Sequence, residues 1–396
     1  MSPTILLPII FVSLIFCLLS GLPLAFALGG MATIYTLFLW GPNALVMVIS
    51  NSYGVMWSFV FVAVPLYIFM AMLLGESGIT ENLYDAAYKW LGFMKGGLLV
   101  ATVVVSSVVA AMTGITATAI VALGIVALPQ MLKYKYDKTI SMGCIITAGS
   151  LGELIPPSTV MIIYCATTGI SLGHVFATGV SAGIILSVIY IAYVLIRSYI
   201  QKDLCPSQPV EDRATWKEKM ISLSKVIAPI FIILFVLGSI FTGAATPTEA
   251  AGVGVFFVFI VCVLSGKFNL SMLSKACIST VKASSMVAWI TMGSVCYSSM
   301  VLSLGAVEFI TKLTATLPGG AMGAMIVFIT IIFFLGMFID PVGIIYICAP
   351  LFVPVMRNFG VDLLWFSLML LKCCSCKHTG SSNVDSGATD TEMKAS

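Results

Sequence analysis

The chain has 396 residues, of which 60% are hydrophobic and 9% are charged, and its formal net charge is +3. A soluble domain carries roughly 25% charged residues, so this composition excludes a soluble enzyme. Nineteen basic residues dispersed among sixteen acidic ones do not form the basic face that nucleic-acid binding requires. At roughly 20 apolar residues per membrane helix, the chain has room for about ten to twelve crossings of a lipid bilayer. We predict an all-α polytopic membrane protein.

The first 95 residues predict three spans and one helix at the membrane surface. The apolar run 5–40 is too long for one span, and Gly21 and Pro23 interrupt it, so two helices are expected. The start lacks the basic region and cleavage site of a signal peptide, and the first helix is expected to be retained. Residues 55–74 predict the next span, and the polar stretch 80–95 predicts an amphipathic helix.

Residues 96–132 are apolar but rich in hydroxyl groups, with Thr113-Gly114-Ile115-Thr116 in the middle. Backbone that leaves a helix at membrane depth must be satisfied by protein or line a cavity, which favours a helix broken for function. Small and hydroxyl residues also let membrane helices pack closely. From this segment alone, both interpretations stay open.

Residues 140–170 contain two glycines, Gly149 and Gly152, the carboxylate of Glu153, and the pair Pro156-Pro157. Each half is too short to cross a membrane alone, so we predict a re-entrant hairpin whose tip is this segment. A proline-kinked helix is the alternative, but two consecutive prolines after a glycine remove too many backbone hydrogen bonds for it.

A polar stretch divides the chain into halves. Residues 197–225 carry six of the nineteen basic residues, which predicts a cytoplasmic loop. Spans are expected before it at 172–196 and after it at 226–242, 248–265, 280–304, 318–337 and 340–356. The expected organisation is a first membrane repeat at 1–196, the loop at 197–225 and a second membrane repeat at 226–371.

The two halves share a fixed offset. Three pairs of identical residues lie 225 positions apart, namely Pro129 and Pro354, Met131 and Met356, and Asp137 and Asp362. In the same frame, the Thr113–Thr116 break falls opposite Phe338-Ile339-Asp340-Pro341. Matched broken helices in two repeats are typical of secondary transporters.

Four stretches make the sequence similar to the large membrane subunit of tripartite ATP-independent periplasmic (TRAP) transporters: residues 21–29, 64–66, 149–158 and 246–251. The resemblance implies two inverted repeats with broken helices and re-entrant hairpins in an elevator-type ion-transporter fold. It also implies sodium-coupled uptake of a small organic acid, such as a C4-dicarboxylate or a sugar acid, across the inner membrane. The implied partners are a small membrane subunit and a periplasmic binding protein that delivers the organic anion.

By this resemblance, a first sodium site would lie between Thr113, Gly114 and Thr116 on the broken helix and Gly152, Ile155 and Pro156 on the hairpin. A second would use Gly336 and Asp340. Hydroxyls and freed carbonyls suit a hard cation such as Na⁺, the coupling ion, and no other metal or cofactor is expected. The substrate would contact Glu153, Pro157, Ser158 and Thr159. For Glu249, a helix N-terminal charge is the favoured interpretation.

The second hairpin is missing from the sequence. The offset places its tip near residues 374–381, but residues 372–396 are polar and predict a disordered tail. The second repeat is therefore expected to be incomplete and the C-terminus atypical or truncated. Two alternatives stay open, a stand-alone sodium/carboxylate transporter and a subunit that assembles without transporting. An enzyme is disfavoured, because two histidines leave few groups for a membrane-embedded catalytic site.

Overall fold

The computed structural model describes residues 3–114, 116–201, 204–209, 213–266, 268–316 and 318–374. Within these ranges the chain is helical and contains no strand. A helix satisfies its backbone N–H and C=O groups internally, as the hydrocarbon interior of a membrane requires. The prediction of an all-helical membrane protein is confirmed.

The helices before residue 201 are α1 (Pro3–Leu19), α2 (Leu24–Trp40), α3 (Leu45–Met56), α4 (Ala63–Glu76), α5 (Ile79–Leu91), α6 (Gly97–Thr113), α7 (Thr116–Lys133), α8 (Lys138–Gly149), α9 (Thr159–Thr168) and α10 (Leu172–Ile200). Those after residue 215 are α11 (Trp216–Phe241), α12 (Pro247–Leu264), α13 (Leu270–Ser303), α14 (Ala306–Ala315), α15 (Gly320–Phe338), α16 (Pro341–Asn358) and α17 (Leu363–Cys374). Short 3₁₀ turns lie at Pro42–Ala44, Phe59–Val62 and Ser150–Glu153.

Six described helices are long and apolar enough to cross a membrane: α10, α11, α12, α13, α15 and α16. Helices α4 and α5 together would make one further span with a bend of 62°. The expected ten to twelve crossings exceed this number of unbroken spans. The reason is that much of the apolar sequence lies in helices of 10–17 residues, which are short for a hydrocarbon core of roughly 30 Å.

Several predicted boundaries agree with the helix ends and others differ, among them the span predicted at 280–304, which corresponds to α13, a helix that already begins at Leu270. The break at Gly21 and Pro23 separates α1 from α2, and the predicted surface helix corresponds to α5. The predicted span 55–74 is instead divided between α3 and α4 by a 3₁₀ turn. The connection between α10 and α11 is also shorter than 197–225, because α11 already begins at Trp216, behind a capping box formed by Thr215 and Glu218.

The internal repeat is visible in the helix bounds. Helices α7 and α16 begin at Thr116 and Pro341, a difference of 225 (341 − 116), and their last residues differ by the same number. Helices α8 and α17 also differ by 225 at both ends. Asp137 and Asp362 each accept a backbone N–H at the start of the helix that follows. The predicted repeat is confirmed in the order and length of these helices.

The described chain forms two compact units, each built from separate stretches of sequence. Among the described residues, the first unit contains those within 3–62, 162–175 and 281–374, and the second contains those within 63–161 and 176–280. Within the second unit α6, α7 and α8 pack against one another, and within the first α15, α16 and α17 do the same. The division into 1–196, 197–225 and 226–371 concerns repeats along the sequence and stays a prediction.

The C-terminal prediction is testable only at its start. Helix α17 continues to Cys374, so the first three residues of the predicted tail 372–396 are helical. Residues 375–396, which carry the rest of the predicted tail and most of the expected second hairpin, lie outside the described residues.

Candidate functional site

The site is built in the second unit, where α6 stops and α7 begins. Gly114 ends α6 with a positive φ of 58°, and its N–H donates to the carbonyl of Ala110 at 2.8 Å. A Cβ on Gly114 would lie 2.2 Å from the carbonyl oxygen of Pro157. Only glycine combines this conformation with so close an approach. The predicted break is therefore in direct contact with the predicted Gly-to-Pro-Pro segment.

The second element is the non-helical segment between α8 and α9. After the 3₁₀ turn Ser150–Glu153, the chain passes through Pro156 and Pro157, which are joined by a cis peptide bond, and enters α9 at Thr159. Proline has no N–H, so the carbonyls of Gly152 and Glu153, four residues earlier, lose the donors that a continuous helix would give them. These carbonyls are the kind of oxygen that can bind a cation.

Two hydrogen bonds join the break to this segment. Thr116 donates from Oγ1 to Glu153 Oε1 at 3.1 Å, and Thr159 donates from Oγ1 to the carbonyl of Gly114 at 3.4 Å. Glu153 is 4% exposed and Thr116 is 2% exposed. A carboxylate this deeply buried needs compensation from a partner or a cation. The structure thus brings hydroxyl and carbonyl oxygens close to one buried carboxyl group.

The other residues predicted for the site differ in the atoms that they offer to a ligand. Ser158 is fully buried, and its hydroxyl has no hydrogen-bond partner among the described residues. Thr113 directs its hydroxyl to the carbonyl of Val109, at 3.0 Å, within its own helix. Ile155 packs its side chain towards Gly183 of α10, where a Cβ would lie 2.5 Å from Ile155 Cγ1. An isoleucine side chain has no oxygen, so Ile155 can contribute only its backbone carbonyl to an ion site.

The helix ends around the site carry partial charges of opposite sign. The α6–α7 break brings the partially negative C-terminal end of α6 at Gly114 next to the partially positive N-terminal end of α7, where Thr116 donates to Glu153. Helix α9 begins at Thr159 and presents the opposite, partially positive end. A cation is favoured where the end of α6 meets the carboxylate of Glu153, and an anion is favoured at the start of α9.

The two residues predicted for a second sodium site lie in the first unit, in different surroundings. Asp340 caps α16 and accepts the N–H of Val342 at 3.2 Å. It also lines a groove of about 590 Å³ together with Phe26 and Trp289. Gly336 is buried against α17, where a Cβ would lie 2.6 Å from the carbonyl oxygen of Cys373.

One further buried hydroxyl lies on α6, outside the residues predicted for the site. Ser106 on α6 is fully buried, and its hydroxyl has no partner among the described residues. Its only signal in the sequence was the density of hydroxyl groups along α6.

Glu249 has the structural position that was expected of it. It completes a capping box with Thr246 at the start of α12, accepting the Thr246 N–H at 2.7 Å.

Residues 11–379 match the family model of the DctM component of the tripartite ATP-independent periplasmic transporters. The chain belongs to the DctM family. It is thus a transporter permease of the inner membrane and not an enzyme. The resemblance inferred from the sequence is confirmed.

Among the relatives of this DctM protein is the ectoine/5-hydroxyectoine TRAP transporter large permease protein UehC of Ruegeria pomeroyi. It is 30% identical over 360 residues, which are 89% of this chain and 82% of UehC. The C4-dicarboxylate TRAP transporter large permease protein DctM of Pseudomonas aeruginosa is 27% identical over 343 residues, 86% of this chain and 79% of that protein.

The fold is similar to that of a solved transporter. The crystal structure of the YdaH transporter of Alcanivorax borkumensis, described as having an unusual topology, matches with a TM-score of 0.60 at 14% sequence identity. The match covers 100% of this chain and 92% of the YdaH chain. At this identity the likeness concerns the fold alone.

Proposed function

We propose that this chain is the sodium-coupled permease subunit of a TRAP transporter that takes up a small organic acid. The observation that carries the proposal is the junction at which Thr116 and Thr159 join the α6–α7 break to the 150–158 segment around buried Glu153. Hard cations prefer oxygen ligands, and this junction supplies hydroxyl, carbonyl and carboxylate oxygens. A bound Na⁺ would also compensate the charge of Glu153.

We assign Glu153 to the ion side of the site rather than to the substrate side. Its carboxylate already accepts a hydrogen bond from Thr116, and an organic anion placed beside it would be repelled. The substrate carboxylate instead suits the start of α9, where Ser158 has a buried hydroxyl available and the helix N-terminus favours negative charge. Pro157 and Thr159 flank this position.

The substrate class is proposed from the relatives. The Pseudomonas aeruginosa protein is named for C4-dicarboxylates and the Ruegeria pomeroyi protein for ectoine and 5-hydroxyectoine. All three compounds carry at least one carboxylate that a helix N-terminus can bind. We propose a small membrane subunit and a periplasmic binding protein as partners, as the tripartite family name requires.

The test is uptake into proteoliposomes that contain this chain and its small subunit, with binding protein and radiolabelled substrate outside. Succinate and ectoine are the two substrates to compare. We expect uptake to require both the binding protein and an inward sodium gradient, and a potassium gradient not to replace it. Uptake without binding protein would favour the stand-alone transporter, and uptake that ignores the sodium gradient would refute sodium coupling.

Thr116→Val separates the proposed ion site from general damage. It keeps the side-chain volume but removes the hydroxyl oxygen that donates to Glu153 and that we propose as a sodium ligand, and losing an interaction with a charged group costs about 1–3 kcal/mol. The apparent sodium affinity should fall about 5- to 150-fold. Thr330→Val is the matched control, because Thr330 is exposed on α15 and bonds only to the carbonyl of Ile326 in its own helix. It should leave the sodium dependence unchanged.

A further inference from the structure

A groove of about 370 Å³ opens on the second unit between α8 and α10. None of the residues predicted for ion or substrate binding lines it. Its lining includes Thr139, Gly143 and Ala148 from α8 and Tyr193, Val194 and Arg197 from α10. The proposed transport function leaves this groove without a role.

The groove is polar at one end and apolar along its floor. Thr139 lies in the first turn of α8 and Arg197 in the last turn of α10. These two helix ends lie together, because the N–H of Asp137 donates to the carbonyl of Leu204, just beyond α10, at 3.0 Å. The floor is formed by small and apolar side chains. The groove therefore has the polarity of an amphiphile, with a charged head and a hydrocarbon body.

Gly143 makes the floor deep. It lies within α8, and a Cβ built on it would meet no atom within 4 Å, so the absence of a side chain leaves open space. Glycine in a helix interior costs roughly 0.5–1 kcal/mol relative to alanine. No close packing contact requires a glycine at this position, and at Gly143 the open space belongs to the groove.

The basic residues near the polar end of the groove, its mouth, favour an anionic occupant. Lys133 ends α7, Lys135 lies in the connection that follows, Lys138 begins α8, and Arg197 lies in the last turn of α10. The carboxylate of Asp137, which lies among them, accepts the N–H of Ile140 as the cap of α8. Basic residues gather on the cytoplasmic side of membrane proteins, where they attract the anionic lipids of that leaflet.

The outer face of α10 beside the groove is apolar and exposed. Ile189 is 53% exposed, Tyr193 is 65% exposed and Ile196 is 60% exposed. Such a surface belongs in contact with hydrocarbon, and tyrosine is enriched where hydrocarbon meets headgroups. An occupant of the groove would therefore enter from the lipid phase.

We propose that this groove is a binding site for an anionic phospholipid of the cytoplasmic leaflet. The phosphate would lie at Arg197 and Thr139, and one acyl chain would run over Gly143 and Ala148. The combination of a guanidinium and a hydroxyl at the mouth with a small-residue floor fits this chemistry. A soluble phosphate would use the mouth but would leave the apolar floor empty.

The experiment is native mass spectrometry of the purified full chain, titrated in detergent with phosphatidylglycerol or with zwitterionic phosphatidylcholine. We expect one phosphatidylglycerol to be retained at collision energies that remove phosphatidylcholine. Arg197→Gln should weaken phosphatidylglycerol retention about fivefold, as expected for one basic residue near an anionic lipid. Gly143→Leu should abolish retention by filling the floor. Millimolar inorganic phosphate should not displace the lipid.

Two control variants distinguish loss of the lipid site from general damage to the protein. Arg213→Gln removes an exposed basic residue beyond the groove, and Gly124→Leu adds the same side chain to a helical glycine of α7 that also has open space around it. Both should retain phosphatidylglycerol as the wild type does. If Gly143→Leu is not monodisperse, Gly143→Ala should still reduce retention measurably.

Three results would overturn the proposal. The first is equal retention of the two phospholipids by the wild type, and the second is equal losses in the test variants and their controls. The third is displacement of the lipid when the small membrane subunit binds, which would make the groove a protein-binding surface instead.

Discussion

Gly114→Ala is the substitution that tests the geometry of the candidate site most sharply. The added Cβ would lie 2.2 Å from the carbonyl oxygen of Pro157 and 3.1 Å from the Cα of Ser158. Both obstacles are backbone atoms, so no side-chain rotation can relieve the contact. The α6–α7 break and the 150–158 segment must therefore move apart.

The size of the effect follows from two contributions. A non-glycine residue in the left-handed region costs roughly 1–2 kcal/mol, and φ at Gly114 is 58°. Overpacking a well-packed contact costs roughly 1–3 kcal/mol. Together they predict a loss of about 2–5 kcal/mol, shared between folding stability and sodium affinity. If about 1 kcal/mol falls on ion binding, the apparent sodium affinity drops about fivefold.

The assay is the sodium concentration that gives half-maximal thermal stabilisation of the purified protein, followed by sodium-dependent uptake. Gly124→Ala is the control, because its Cβ meets no atom within 4 Å and alanine favours a helix. We expect Gly114→Ala to melt at a lower temperature and to require more sodium, and Gly124→Ala to match or exceed the wild type in stability. Indistinguishable behaviour of the two variants would refute the close contact.

Three further substitutions separate structural from functional roles. Thr246→Ala should cost about 1 kcal/mol of stability in chemical or thermal denaturation, because Thr246 and Glu249 form a capping box. The sodium dependence of uptake should not change, and an altered dependence would contradict a purely structural role. Asp340→Asn keeps a good helix cap but removes the charge. If Asp340 binds an ion, uptake should depend less on sodium while the melting temperature stays unchanged. Unchanged sodium dependence would limit Asp340 to capping. Gly336→Ala should lower the melting temperature because its Cβ would lie 2.6 Å from a carbonyl of α17, whereas Gly54→Ala, with open space, should not.

The sequence was most informative where residues restrict the backbone. Glycine and proline fix where helices stop, so the break at Gly114 and the non-helical segment at Pro156 and Pro157 were predictable from residue type alone. The same holds for the repeat. Asp137 and Asp362 cap equivalent helices, and this local function explains why they share the 225-residue offset.

Distances along the sequence could not reveal which side chains face each other. Thr116 and Glu153 were both predicted site residues, but their hydrogen bond depends on how α7 packs against the segment after α8. The packing of the Ile155 side chain towards Gly183 of α10 likewise follows from the fold and not from spacing along the sequence. Packing determines which way each side chain of a helix faces. In a uniformly apolar segment, hydrophobic periodicity does not indicate that direction.

The groove between α8 and α10 had no signal in the sequence. Arg197 was counted among the basic residues that place a loop in the cytoplasm, and Gly143 was one glycine among 34. Only the packing of the two helices shows that one provides a charge and the other an open floor at the same place. Composition likewise overestimated the unbroken spans, since it does not distinguish one long helix from two short ones.

The measurement that tests the central claim most directly is equilibrium binding of ²²Na⁺ to the purified protein, compared between the wild type and Glu153→Gln. This substitution keeps the shape of the side chain and an acceptor for Thr116, and it removes the buried charge that a cation would compensate. The account predicts saturable binding to the wild type and at least tenfold weaker binding to the variant, with both proteins folded by thermal melting. Equal sodium binding by the two proteins would contradict it.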